Sequence, residues 1–326
     1  MEWYRENARD LPWRRTRDPY HILVSEIMLQ QTRVQAVLGY YDRFLAAFPN
    51  PEALAAAEEG RLLKLWEGLG YYSRARNLQK AARACVETYS GALPDTYEAL
   101  LSLPGVGEYT AGAVASIAYG IPVPAVDGNV LRVLARINCD SGDIADPAVK
   151  KRVRETLLAH MPKEEPGLFN QALMELGATV CLPNGAPKCE NCPVAAYCRA
   201  REAGQQLTLP VKGKKKPRRI EEKTVYALFF EGKPLGHLRE AGVLKGLWQL
   251  PEEPGRRTRQ EMGETLTSLG LRPVGELAFL ERKHVFTHVE WHMLVCRGEV
   301  AGLLPQGLTP LSEEEALPTA YRICLE

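Results

Sequence analysis

The 326-residue chain has almost no net charge: 41 Lys and Arg face 40 Asp and Glu, a formal +1. Electrostatic grip on phosphate needs surplus Lys and Arg, so this balance excludes a polycationic wrapper of nucleic acid and leaves only a local basic surface open. No stretch reaches the roughly 18 uninterrupted apolar residues of a membrane helix. The longest candidate, residues 111–126, is broken by Pro122 and Pro124, and a soluble protein is expected. The first residues, Met-Glu-Trp-Tyr-Arg-Glu, have neither a signal peptide's apolar core nor an acid-poor transit composition. A cytoplasmic location is therefore expected, and the eight cysteines are read first without disulfides. Internal repeats are lacking, as are low-complexity tracts beyond one basic segment.

With 45% apolar residues, the chain has ordinary globular composition and length for two domains. Hydrophobic spacing and caps predict helices over 20–37, 51–58, 59–68, 75–89, 96–101, 109–119, 129–137, 148–160 and 167–177. After about residue 224 the texture changes. Strands are predicted over 224–230, 276–280 and 290–296, with one helix over 258–269, so this half is α+β. Between the halves, Lys212, Lys214, Lys215, Lys216, Arg218, Arg219 and Lys223 outnumber Glu221 and Glu222 by five. With Gly213 and Pro217 in it, this reads as an exposed linker, either simply solvated or in contact with phosphate. The expected organisation is a helical domain over 1–205, a linker over 206–223 and an α+β domain over 224–326.

Four cysteines cluster. Cys181, Cys189, Cys192 and Cys198 stand as Cys-x7-Cys-x2-Cys-x5-Cys, close enough in sequence to converge on one metal centre. A zinc ribbon usually shows two Cys-x2-Cys pairs and only one is here, so the spacing favours a [4Fe–4S] cluster. Cys85, Cys139, Cys296 and Cys324 lie apart and read as ordinary thiols.

Leu103-Pro104-Gly105-Val106-Gly107 precedes a helix rich in Ala, Gly and Ser, the texture of a helix–hairpin–helix. Backbone N–H groups at such a helix start can hold a phosphate without side-chain charge. Asp127, in Val126-Asp127-Gly128-Asn129, fits an N-cap. Glu26 lies in Ile22-Leu23-Val24-Ser25-Glu26-Ile27-Met28-Leu29, either buried with a raised pKa or on a polar stripe with Gln30 one turn on.

Together these motifs resemble the endonuclease III superfamily of helix–hairpin–helix DNA glycosylases, and within it the MutY-type adenine DNA glycosylases. Ser25-Glu26-Ile27-Met28-Leu29-Gln30-Gln31-Thr32 is similar to the catalytic helix of that branch. Gly68-Leu69-Gly70-Tyr71-Tyr72-Ser73-Arg74-Ala75-Arg76 is similar to its base-wedge segment. Gly246-Leu247-Trp248-Gln249-Leu250-Pro251 and Phe286-Thr287-His288 resemble its Nudix-like C-terminal domain. Where bifunctional relatives carry a lysine nucleophile after Leu-Pro-Gly-Val-Gly-x, this chain has Tyr109. The Nudix metal-binding box, Arg-Glu-x-x-Glu-Glu, is absent from residues 248–270, so the resemblance implies a recognition domain without a second active site.

The resemblance implies hydrolytic removal of adenine mispaired with 8-oxoguanine, and also with guanine, from duplex DNA by a monomeric, monofunctional enzyme. Glu26 would protonate adenine at N7. Asp127 would stabilise or capture the sugar cation, Tyr109 would hydrogen-bond within the carboxylate pair, and Asn129 would orient the site. Arg14 and Gln171 would contact the flipped base. Gln31 and Tyr71, which otherwise read as a surface-helix Gln and a core Tyr, would fill or wedge the stack. Gly105 and Gly107 would hold the DNA backbone, and Phe286, Thr287 and His288 would read 8-oxoguanine. The family's usual Phe-Ser-His is Phe-Thr-His here, and its usual six residues between the first two cluster cysteines are seven. Two other readings are an endonuclease III-like glycosylase/lyase for oxidised pyrimidines, and a noncatalytic iron–sulfur DNA-binding or redox-sensing protein.

Overall fold

The computed structural model describes residues 1–213 and 217–326; Lys214, Lys215 and Lys216 of the basic segment lie outside the described residues. Two compact units form: Met1–Ala57 with Arg76–Lys214, and Glu58–Ala75 with Lys215–Glu326.

The first unit is helical. It comprises α1 (Glu2–Asn7), α2 (Pro19–Leu29), α3 (Val34–Ala47) and α4 (Pro51–Ala55). In the second unit α5 (Glu59–Trp66) follows, and α6 (Ser73–Tyr89) starts there and continues into the first. The first unit then adds α7 (Tyr97–Ser102), α8 (Glu108–Tyr119), α9 (Gly128–Asn138), α10 (Pro147–Ala159), α11 (Pro166–Thr179) and α12 (Arg199–Glu202).

The helix expected over 20–37 is in fact two. Asp18 caps α2 by accepting from His21 N at 3.0 Å, with Pro19 in the first turn. The helix then ends at Leu29, because Gln30 is extended and Gln31 turns left-handed at φ 57°. Apolar periodicity runs through residues 20–37 and does not register this break.

Close helix approach depends on residues without bulk. A Cβ at Gly112 would stand 2.4 Å from Pro124 O, and one at Gly177 would stand 2.5 Å from the Asn129 Cβ. The core between α9, α10 and α11 is Val130, Val133, Leu134, Val153, Leu157, Leu176 and Val180, with Cys181 and Cys192 at its margin.

The second unit is a mixed sheet with a helix on each face. Its strands are β1 (Arg219–Phe230), β2 (Lys233–Leu238), β3 (Trp248–Gln249), β4 (Glu252–Pro254), β5 (Leu271–Val285), β6 (Val289–Gly302) and β7 (Thr309–Pro310). Besides α5 and the start of α6, its helices are α13 (Arg259–Ser268) and α14 (Thr319–Leu325). The order is β3-β2-β1-β6-β5, with β4 on β1 and β7 on β2; β1 and β6 run parallel, β5 and β6 antiparallel.

Alternate residues of β1 face opposite sides, as the two-residue strand period requires. Val225 and Ala227 pack with Trp291, Met293, Tyr321 and Cys324 on the α14 side. Tyr226 and Leu228 pack with Met262, Leu266 and Cys296 on the α13 side. β5 is far longer than the expected 276–280, because charged residues such as Glu281 and Lys283 alternate outward while the ladder with β6 continues.

The basic segment is more ordered than a solvated linker at both described ends. Val211 O accepts from Ile144 N at 3.1 Å, and Gly213 N donates to Asp143 at 2.9 Å. Beyond it, β1 starts at Arg219, ahead of the expected residue 224. Lys223 is buried, bonded to Glu252 at 2.7 Å, and its Nζ lies 4.0 Å from the Trp291 ring centroid. A lysine so placed stabilises the sheet unit and is withheld from phosphate.

Candidate active site

Two helix starts and the middle of a third helix build the site in the first unit. Glu26 sits in the middle of α2, where Ile22, Leu23, Val24, Ser25, Ile27 and Met28 are all buried. Glu26 is itself 5% exposed, so it does not belong to a solvated polar stripe.

Tyr109 arrives from the first turn of α8. The preceding Gly105 has φ 78°, and a Cβ there would stand 2.6 Å from the Asn77 Cβ, so only glycine makes this turn. Gly107 caps α8 in extended backbone, and a Cβ there would face open space. The Tyr109 hydroxyl donates to Glu26 Oε2 at 2.5 Å, with Met174 Sδ 3.3 Å away.

Asp127 caps α9. Its Oδ1 accepts from Val130 N at 2.8 Å and its Oδ2 from Asn129 Nδ2 at 2.7 Å. The N-cap role read from sequence is therefore real, and it leaves the carboxylate held at both oxygens. Asn129 Oδ1 in turn accepts from Arg132 at 2.8 Å, and Arg132 donates to Gly177 O and to Cys181 O, each at 2.7 Å.

Burial acts on both acids. Burial pushes the Glu26 pKa up to about 7; the Tyr109 hydrogen bond and Arg14 oppose the rise, and Asp127 adds to it. Burial also raises Asp127, against the hydrogen bonds from Val130 and Asn129. Near neutral pH Glu26 is poised to give up a proton to a base, beside a carboxylate already tied by donors.

Several residues that hold this site left no trace in sequence periodicity. Asn170 is fully buried; it accepts from Ala125 N at 3.0 Å and donates to Ser116 Oγ at 2.8 Å and Val123 O at 2.9 Å. It thereby pins the chain leading to Asp127. Arg132 and Glu175 are likewise buried ions inside helices that read as merely amphipathic. A signal existed only in the presence of charge on an apolar face.

Arg14 and Gln171 are joined through Tyr4: the Arg14 guanidinium lies 5.3 Å from the Tyr4 ring centroid, and the Tyr4 hydroxyl donates to Gln171 Oε1 at 3.0 Å. Gln31 is exposed in its left-handed turn, not on a helix.

The four clustered cysteines line one cavity with Val133, Arg136, Leu176, Val180 and Val194. All eight cysteines are free thiols. Burial, and then the neighbouring thiols, push the Cys189 and Cys192 pKa values up. Arg136 donates to Cys181 Sγ at 3.2 Å and Leu182 O at 2.9 Å, supplying positive charge. The seven-residue insert is folded back by Lys188 N donating to Val180 O at 2.9 Å.

In the second unit, Tyr71 is 45% exposed and left-handed at φ 46°, so it is no core tyrosine. Trp66 Nε1 and Arg74 hold its turn through Gly70 O, at 3.1 and 3.2 Å. The Tyr71 hydroxyl hydrogen-bonds Thr287 Oγ1. Phe286, Thr287 and His288 form the β5–β6 turn, with Thr287 and His288 exposed. Phe286 stacks edge-on to His284 at 4.6 Å and to Trp291 at 4.7 Å.

A buried acid, a helix-capping aspartate and a glycine hairpin at a helix start accompany a match to the helix–hairpin–helix base-excision glycosylases. The family of HhH-GPD superfamily base excision DNA repair proteins matches residues 24–158. Among solved structures, a thermostable thymine-DNA glycosylase is 33% identical with TM-score 0.57, covering 62% of this chain and 93% of its own. An endonuclease III–DNA covalent intermediate is 27% identical with TM-score 0.53, covering 62% of this chain and 92% of its own. The adenine DNA glycosylase of Homo sapiens is 35% identical over 96% of this chain and 67% of its own length; that of Rattus norvegicus is 36% identical over 96% and 71%. The chain belongs to the adenine DNA glycosylase family.

Proposed function

We propose that this enzyme of base excision repair removes adenine mispaired with 8-oxoguanine, and also with guanine, from duplex DNA, by hydrolysis and without an efficient lyase step. The observation that carries this reading is the buried Glu26, held by Tyr109 at the position where a lyase would carry an amine.

Adenine is a poor leaving group until it is protonated, and the sugar it leaves becomes a cation. Glu26 gives its proton to N7 of the flipped base. Asp127, its orientation fixed by Val130 N and Asn129, stabilises the sugar cation or captures it as a covalent intermediate that water resolves. Tyr109 has no amine, so no Schiff base forms and an abasic site is left.

Arg14 and Gln171 contact the extruded adenine. Gln31 and Tyr71 occupy the stack it leaves; two non-glycine residues in left-handed backbone present exposed side chains, which supports an inserting role. The backbone at Gly105 and Gly107 holds phosphate, a reading supported by the open space at Gly107. Phe286, Thr287 and His288 read the 8-oxoguanine edge from a Nudix-like recognition domain, supported by the mixed sheet with a helix on each face. The working form is a monomer in the cytoplasm; among the described residues no helix is long and apolar enough to cross a membrane.

Cys181, Cys189, Cys192 and Cys198 would hold a [4Fe–4S] cluster. The four thiols line a shared cavity with Arg136, which donates to Cys181 Sγ at 3.2 Å, and this soft, positively charged lining fits a thiolate-held cluster. Four thiolates supply soft ligands to iron and fasten the loop to α9 when the cluster is bound.

The test is single-turnover adenine release from duplexes with adenine opposite 8-oxoguanine, guanine or thymine. Release from the first two is expected, and its absence from the 8-oxoguanine duplex with cluster-replete protein overturns the reading. Efficient borohydride crosslinking to damaged duplex would instead indicate a lyase, and binding without turnover a noncatalytic protein.

A further inference from the structure

Glu175 is a buried, ionised carboxylate that the reaction above does not use. It lies on α11, is 0% exposed, and takes four donors: Arg9 N at 3.0 Å, Arg9 Nε at 2.8 Å, Arg9 Nη2 at 2.7 Å and Arg14 Nη2 at 2.6 Å. The two arginines hold its pKa down to about 2 against the opposing effect of burial. Glu26 and Glu175 are thus both buried glutamates, driven in opposite directions by what faces them.

The arrangement fixes Arg14 on every side. Arg14 Nη1 donates to Arg9 O at 3.0 Å, Nη2 donates to Glu175, and its Cζ lies 5.3 Å from the Tyr4 ring centroid. A guanidinium has a rigid planar fork, so two directed hydrogen bonds and a ring contact leave it little rotational freedom. The Arg14 side chain is 14% exposed, and its positive charge opposes the rise in the Glu26 pKa.

We propose that Glu175 is a positioning residue for adenine excision: through its buried ion pair it holds Arg14 in the orientation that meets the flipped base, without touching substrate itself. This inference rests on the reading that Arg14 contacts adenine.

The test compares Glu175→Gln with wild type on two duplexes. One carries adenine opposite 8-oxoguanine and is read as a single-turnover excision rate. The other carries a stable abasic analogue opposite 8-oxoguanine, which has no base for Arg14 to meet, and is read as a dissociation constant. A 10- to 100-fold slower excision with analogue affinity unchanged within twofold is expected. Adding Glu175→Gln to Arg14→Met should slow excision no further, because the two changes remove one interaction. Full-rate excision by folded Glu175→Gln, parallel losses on both duplexes, or additive losses in the double variant would overturn the proposal. If Glu175→Gln does not fold, Glu175→Asp keeps the charge and shortens the arm, and the same three comparisons apply. Failure of the underlying reading looks different: wild type then releases no adenine, or Arg14→Met excises at the wild-type rate.

Discussion

The hydroxyl of Tyr109 and the carboxylate of Glu26 are 2.5 Å apart across 83 residues of chain, joining the first turn of α8 to the middle of α2. That bond favours the ionised form of Glu26, and burial outweighs it. The acid is consequently protonated up to about neutral pH. Excision through this site should be fastest below about pH 7 and fall as pH rises through it. Glu26→Gln, which cannot give a proton, should slow single-turnover release by at least about 100-fold and remove that alkaline limb. A wild-type alkaline limb near pH 5 would contradict the buried-acid account.

The same shift has a stability consequence of opposite sense to the usual carboxylate. The folded pKa, about 7, lies above the ordinary value of 4.5. As pH rises from 4.5 to 7 the unfolded chain gives up its proton first, so unfolding becomes easier. Glu26→Gln should therefore raise Tm relative to wild type at pH 8.5, by an amount corresponding to ~1–3 kcal/mol, with the difference vanishing near pH 4. Thermal melts at the two pH values check this.

Tyr109→Phe removes the hydrogen bond that partly restrains the Glu26 shift. Its alkaline limb should move to higher pH, with a maximal rate within about tenfold of wild type. An unchanged limb would mean that the bond does not persist in the working enzyme.

Asn129 is set by its neighbours. Gly177→Ala places a Cβ 2.5 Å from the Asn129 Cβ, so either α9 or the side chain must shift. The bond from Asn129 to Asp127 at 2.7 Å is the part most exposed to that shift. A roughly 10- to 100-fold slower excision is expected, because small misplacements at a reacting centre are costly. Substitution at Gly60, where a Cβ meets open space, should leave the rate unchanged and serves as the control.

Thr287→Val keeps the shape of the β5–β6 turn and removes a hydroxyl. Excision opposite 8-oxoguanine should slow by about tenfold, the cost of roughly one hydrogen bond, with excision opposite guanine little changed. Equal loss on both duplexes would place Thr287 outside lesion reading. For the cysteine loop, iron and sulfide analysis of anaerobically purified protein should give a cluster, and Cys192→Ser should lower its content. Stoichiometric zinc without sulfide would rule the cluster out.

The sequence by itself determined what short-range chemistry specifies. Gly105 with Gly107, the caps Asp18 and Asp127, the tight set Cys181 to Cys198, and the change from helical to strand texture are all local patterns. Each acts through backbone geometry or neighbours in sequence, and family membership followed from their combination. Boundaries were less legible where the chain's own preference was overruled: the break at Gln31, the early start of β1 at Arg219, and the length of β5 beside β6. Only the tertiary structure decided which charges are buried and by what they are met. Glu26 and Glu175 are the same residue type on helices of similar texture. One is pushed up to about 7 by an enclosing apolar helix bundle, and the other is held near 2 by two arginines from the first fifteen residues. Desolvation and charge pairing depend on distances across the fold, and a one-dimensional pattern contains no distances.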